Sequence, residues 1–160
     1  MKKAPTDFRR VTMIVNQMEP ALTVYRDILG MEVYYDQEIS ISGRNLPTGE
    51  ASAEGRLVIL KCNDPYIGML GILQYIDPPL PAPATRPVPN RVQVGEAVLV
   101  MTHENVEQAY ERLKDVEGVQ IVAEPHVTEL PRADGGVFRI EGISFFDPNG
   151  YFVDLNQTVE

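Results

Sequence analysis

Few side chains in this chain are equipped for chemistry. Its 160 residues include two histidines, one cysteine and no tryptophan. His103 stands in Met101-Thr-His-Glu-Asn105 and His126 in Glu124-Pro-His-Val-Thr128. Either imidazole could move a proton near neutral pH, where histidine titrates without special surroundings. His103 reads equally well as part of a helix cap, with Thr102 or Asn105 supplying the capping oxygen. His126 falls in a predicted loop that could border a binding site. Cys62 ends the apolar run Leu57-Val-Ile-Leu-Lys-Cys62, which points to a buried structural thiol rather than a nucleophile. A single cysteine excludes an internal disulfide and a thiolate metal cluster. The sequence contains no pattern for a nucleophile triad, a phosphate-cradling glycine loop or a dinucleotide fingerprint.

A carboxylate with a defined setting lies near the C-terminal end. Asp147-Pro-Asn-Gly150 has strong turn chemistry, because proline presets φ and Asn-Gly accepts positive φ. Apolar and aromatic residues flank it, so Ile143 to Asn156 is predicted to be a β-hairpin. Strand alternation places Tyr151, Val153 and Leu155 on one face and Phe152, Asp154 and Asn156 on the other. Asp154 is then either a solvated residue or a functional carboxylate on a sheet face.

Two similar sets of elements position these residues. In the first, Val11–Val15 reads as a strand and Met18 to Leu29 as an amphipathic helix, with Pro20 in its first turn and Gly30 as a stop. Strands follow at 32–36, 56–62 and 68–75, with 42–55 as a long loop or ragged hairpin. Residues 77–93, rich in proline, read as an extended linker. The second set has strands at 96–101, 118–123, 136–146 and 151–156 and a helix over Val106–Leu113. The chain thus divides into modules at 1–76 and 94–160, each βαβββ. A shift of 88 positions carries Met18 onto Val106, Ala21 onto Ala109 and Gly30 onto Gly118. A shift of 83 carries Asp64-Pro65 onto Asp147-Pro148, so the modules read as a repeat with one internal slip.

Charge limits the partners. With 23 acidic against 14 basic residues the net charge is −9, which repels nucleic acid phosphates and anionic lipid. The charge suits a soluble protein or a cationic ligand and does not choose between them, and the partner expected is a small-molecule ligand. No apolar run is long enough for a membrane span, and Met1-Lys-Lys leads into a polar segment instead of a signal core, so a cytoplasmic protein is expected.

The paired βαβββ pattern, the segment Met18-Glu-Pro-Ala-Leu-Thr-Val-Tyr-Arg-Asp-Ile-Leu-Gly-Met-Glu-Val33 and the closing Phe146-Asp-Pro-Asn-Gly-Tyr-Phe-Val-Asp-Leu155 together resemble the vicinal oxygen chelate superfamily. That superfamily includes glyoxalases, extradiol dioxygenases, fosfomycin resistance proteins, methylmalonyl-CoA epimerase and bleomycin-binding proteins. The resemblance implies an α+β fold in which two modules pair into a glyoxalase-like cup holding the ligand, and it implies a homodimer. It also implies a divalent metal held by residues on the first and last strands of each module, chelating vicinal oxygens of a substrate. Carried over, those positions fall on Arg10, Val98, Gly71 and Asp154, and only Asp154 offers a ligand atom. The usual metal site is therefore expected to be lost, with no cofactor. A register slip would bring Glu96 in place of Val98, so Glu96 and Asp154 are the ligands if a metal binds, and Gln74 lies near Gly71 in sequence. Arg10 is either a solvated residue or a clamp for an anionic group facing Asp154, in a cavity walled by Met13, Leu73, Met101 and Phe152. Two functions follow: a metal-free small-molecule binding protein, or a lyase, epimerase or dioxygenase with an altered ligand set.

Overall fold

A computed structural model describes residues 6–82 and 91–159, in two compact units that divide at residues 83 and 84. Residues 83–90 of the expected linker lie outside the described residues. The first unit holds strands β1 (Arg10–Val15), β2 (Glu32–Ser42), β3 (Ser52–Lys61) and β4 (Met69–Asp77), with helix α1 (Met18–Leu22) between β1 and β2. The second holds β5 (Val98–Thr102), α2 (Val106–Leu113), β6 (Gln120–Pro131), β7 (Val137–Phe146) and β8 (Phe152–Val159). The strand orders are β1-β4-β3-β2 and β5-β8-β7-β6. Each unit is therefore a βαβββ module whose first and last strands pair in parallel, and the fold is α+β as expected.

Each helix covers one face of its own sheet. In β1, Met13 and Val15 are buried while Thr12 is exposed; in β8, Val153 and Leu155 are buried while Asp154 is half-buried. Helix α1 continues as a π-helical segment, Thr23–Ile28, in which the Leu29 N–H reaches Val24 O five residues back at 2.9 Å. Leu22 just before it and Val24 and Tyr25 within it are fully buried, and burying a side chain of the leucine or valine class contributes about 1.5 to 3 kcal/mol. Gly30 follows the first helical segment with φ of +76°, a left-handed conformation that glycine adopts without a Cβ penalty, and Gly118, at φ +86°, lies in the turns between α2 and β6. Asn105 caps α2 by accepting the Gln108 N–H at 2.9 Å.

On the helix side of the first sheet, Arg56 ties three elements together. Its Nε and Nη2 each donate to Asp36 at 2.8 Å, and its Nη1 donates to Glu19 of α1 at 2.8 Å. The hydrogen bonds from Arg56 hold the Asp36 carboxyl below the ordinary aspartate range.

Four local expectations change. Strand β2 runs on to Ser42 and β3 begins at Ser52, so the ragged-hairpin alternative is the one realised. The outer part of β2 is mostly exposed on both faces and a bulge between Val33 and Tyr35 shifts the alternation, which erases the apolar period that marks a half-buried strand. Strand β6 runs through His126 to Pro131, where a loop was predicted; two bulges, with Pro125 in the second, break its alternation, and its place at the sheet edge tolerates the proline. Strand β5 begins at Val98, because Glu96 closes a turn in which its N–H bonds Gln93 O at 3.1 Å and its carboxylate accepts the Gln93 N–H at 2.8 Å. Cys62 is exposed, since it lies just past the end of β3; partial desolvation raises its thiol pKa. Among the described residues no helix is long and apolar enough to cross a membrane.

Candidate functional site

The face of each sheet opposite its helix is left uncovered by that helix, and strand register assigns residues to it. In the first unit, Arg10 pairs with Met69, Thr12 with Gly71 and Ile14 with Leu73, all on this open face. In the second, Val98 pairs with Phe152, Val100 with Asp154 and Thr102 with Asn156. The two shifts read from the sequence meet here: 88 carries Thr12 onto Val100, 83 carries Gly71 onto Asp154, and each pair occupies the same place in its ladder. Val153 and Leu155 face the helix, as the hairpin alternation required.

Arg10, Thr12 and Gly71 form one compact group. The Arg10 Nε donates to Thr12 Oγ1 at 3.3 Å. A Cβ at position 71 would fall 2.5 Å from that same oxygen and 3.1 Å from Thr12 Cβ, so Thr12 occupies the room where a side chain at 71 would begin. Arg9 turns elsewhere and stacks over the Tyr66 ring at 4.2 Å. Farther along the same face, Leu46 from the β2–β3 loop and Leu80 from beyond β4 pack on Ile41, Ala53, Leu73 and Tyr75, while Thr48 Oγ1 donates to Tyr75 Oη at 3.1 Å. One end of the first open face is thus closed by apolar cover.

Gln74 stands on the other side of the sheet from Arg10, since it pairs with Val15. Its Oε1 accepts the Met18 N–H at 3.2 Å and its Nε2 donates to Asn16 O at 3.0 Å, so the amide serves the β1–α1 turn. Met13 and Met101, expected in the cavity wall, likewise face the helices, whereas Leu73 and Phe152 lie on the open faces. His103 belongs to the turn before α2, where its Nδ1 lies 2.9 Å from the Asn105 O and 3.0 Å from the Asn105 N.

The second open face carries three rungs. Val98, Phe152, Phe146 and Gln120 share the first; Val100, Asp154, Ser144 and Ala123 the second; Thr102, Asn156, Gly142 and His126 the third. Asn156 Nδ2 donates to Asp154 Oδ1 at a long 3.4 Å. The His126 Nδ1 lies 2.8 Å from Glu124 O, a carbonyl that only accepts, so the proton sits on Nδ1. The alternation already placed Asn156 beside Asp154; Thr12, Ser144 and Gly142 carried no signal of their own, because only pairing brings them to this surface. Among the described residues, no group of three or more His, Cys, Asp or Glu side chains is arranged to hold a metal ion.

Two βαβββ modules, each leaving one sheet face uncovered by its own helix, define the glyoxalase-like class of proteins. The sequence profile of the Glyoxalase/Bleomycin resistance protein/Dioxygenase superfamily matches residues 8–155, and the chain belongs to that superfamily. Curated proteins provide no match to the sequence. Solved structures share the fold at low identity. A glyoxalase family protein from Bacillus cereus is 15% identical with a TM-score of 0.75, over 99% of this chain and 98% of the other. A glyoxalase/bleomycin resistance protein from Streptomyces sp. CB03234 is 17% identical with a TM-score of 0.54, over 94% and 100%. The glyoxalase family protein from Enterococcus faecalis is 19% identical with a TM-score of 0.53, over 96% and 98%.

Proposed function

We propose that this superfamily member binds a small molecule on the open faces of its sheets, in the cup that membership implies, and does so without the usual divalent metal. The carrying observation is the set of side chains at the four implied ligand positions. Arg10 is a cation, Val98 has no donor atom, and Gly71 has Thr12 in the space a ligand would need. That leaves the single carboxylate of Asp154, whereas zinc and its neighbours are held by three or more protein donors. Glu96, the substitute nearest Val98, sits ahead of β5 with its carboxylate on the Gln93 amide.

In this reading Arg10 is a recognition group. Its planar fork matches a carboxylate or a vicinal dicarbonyl, and Thr12 holds it by Nε, which leaves the terminal nitrogens for the ligand. Elemental analysis of the purified protein tests the first half: less than stoichiometric Ni, Zn, Fe or Mn is expected. One tightly held metal per chain overturns it and favours a lyase, epimerase or dioxygenase using Glu96 and Asp154. Arg10→Met tests the second half. It should leave the melting temperature within a few degrees and weaken oxalate binding by about tenfold or more, the loss of one charged hydrogen bond; unchanged affinity removes Arg10 from the site.

A further inference from the structure

Among the chain's asparagines only Asn149 is followed by glycine, and that pair carries a chemistry of its own. Gly150 has no side chain to hinder approach, so its backbone nitrogen can attack the side-chain carbonyl carbon of Asn149. The nitrogen gives up its proton, the new N–C bond closes a succinimide ring, and the Asn149 side-chain nitrogen leaves as ammonia. Water then opens the ring at one carbonyl or the other and leaves aspartate or isoaspartate at position 149. No reactant other than water is consumed, and Asn149 is only half-buried. Ring closure does require the Gly150 nitrogen to swing towards its neighbour's side chain, so the backbone conformation governs the rate.

The turn between β7 and β8 holds that nitrogen back. The Gly150 N–H donates to Asp147 O at 2.9 Å. Asp147 Oδ1 accepts the Asn149 N–H at 2.9 Å and the Tyr151 N–H at 2.8 Å, so the amides on both sides of Gly150 are pinned to one carboxylate. The Asp147 N–H closes the loop once more on Tyr151 O at 2.8 Å. Asp147 is 2% exposed, and water does not readily take over bonds made there. Pro148 gives the turn a second support, because it sits so near Gly118 that an added Cβ on that glycine would fall 3.2 Å from the proline ring. Swinging Gly150 out of this arrangement breaks its own bond and strains the two beside it.

We propose that Asn149 is a gated deamidation site: the closed turn withholds the Gly150 nitrogen, and a chain whose turn opens is converted at 149. A reaction that needs local opening proceeds in proportion to the open population. Isoaspartate routes the main chain through the former side chain and lengthens it inside a turn whose flanking pair, Phe146 and Phe152, is already in register. Turn length sets hairpin register, so the converted turn no longer fits the ladder between β7 and β8. The change is irreversible in water, and it marks chains in which this turn has opened.

The test incubates the full chain at mildly alkaline pH in water enriched in heavy oxygen, which labels the new carboxyl group, and follows the peptide carrying residue 149 by mass spectrometry. Labelled product is expected to form at least about tenfold more slowly in the folded chain than in the same chain unfolded in urea, the effect of about one net hydrogen bond. Asp147→Ala, checked for a folded amide spectrum, should convert several-fold faster than the parent; Asp147→Asn, which keeps an acceptor oxygen, should lie between them and serves in its place if the alanine variant does not fold. Arg56→Met, which loosens the other unit, should leave the rate at 149 unchanged. Equal rates in the folded and unfolded parent, or no labelled product at 149 in the unfolded chain, overturn the proposal. So does a folded Asp147 variant no faster than the parent, or an Arg56→Met chain accelerated as much as the Asp147 variants.

Discussion

Replacing Asp147 with alanine should destabilise the protein far more than the same change at Asp64, although both begin an Asp-Pro turn at matching points of the repeat. Asp147 is 2% exposed, and its Oδ1 accepts the Asn149 N–H at 2.9 Å and the Tyr151 N–H at 2.8 Å. Asp64 makes the corresponding bonds, from Tyr66 N–H at 2.8 Å and Ile67 N–H at 2.7 Å, but in solvent. Alanine at 147 removes the acceptor from two amides that water does not readily reach. Each charge-assisted bond is worth about 1.5 to 3 kcal/mol, and relief of the buried carboxylate's own desolvation returns part of the sum, leaving a loss of about 3 to 4 kcal/mol. For a chain of this size that lowers the melting temperature by roughly 6 to 16 °C. At Asp64 water replaces the lost acceptor, so the drop is smaller. Asp147→Asn, which keeps an acceptor oxygen, should fall between the parent and Asp147→Ala. Calorimetry and urea titration of the four proteins measure this directly. An Asp147→Ala melting temperature within about 2 °C of the parent, or an equal drop for Asp64→Ala, would refute the distinction drawn from burial.

Arg56→Met should cost about 1 to 2 kcal/mol in urea titrations, because it unpairs Asp36 and Glu19 at a partly buried crossing of β3, β2 and α1; a neutral result would mean that the three-way contact is fully replaced by water. Asp36 and Asp64 both have carboxyls held below the ordinary value, by Arg56 and by backbone N–H groups respectively. A depressed folded-state pKa stabilises above the unfolded value, near 3.9, and that contribution is lost as pH falls through the folded values. The melting temperature should therefore decline below about pH 4, less steeply in Asp36→Asn than in the parent. Sedimentation at micromolar concentration is expected to give a homodimer; monomer alone would oppose that proposal.

Much of the architecture was legible because two kinds of signal repeat. Positive-φ glycines at Gly30 and Gly118 between helix and second strand, and Asp-Pro turns at 64 and 147, punctuate each module at the same places, and local chemistry alone requires them. The candidate site was less legible, because it depends on which face a residue takes. Gln74 lies three positions from Gly71, an odd number, so it emerges on the opposite side of the strand. His126 looked like a loop residue because the bulges of β6 remove the alternation by which strands are read. Glu96 is separated from the ladder by a turn that its own carboxylate closes. Cys62 follows an apolar run but lies beyond the strand end, where sequence hydrophobicity no longer implies cover.

The contact between Thr12 and Gly71 constrains the order in which substitutions at the two positions can be made. A side chain at 71 would collide with Thr12 at 2.5 Å, and the obstruction includes the Thr12 Cβ at 3.1 Å, which no rotation about χ1 moves aside. A glutamate or histidine at 71 is thus unfavourable as a first step and becomes acceptable after position 12 has been reduced to glycine. The same holds in reverse: once Gly71 is present, position 12 is free to carry the hydroxyl that holds Arg10. Positions 12 and 71 are therefore sterically coupled, and a chain with a donor at 71 is expected to carry a smaller residue at 12.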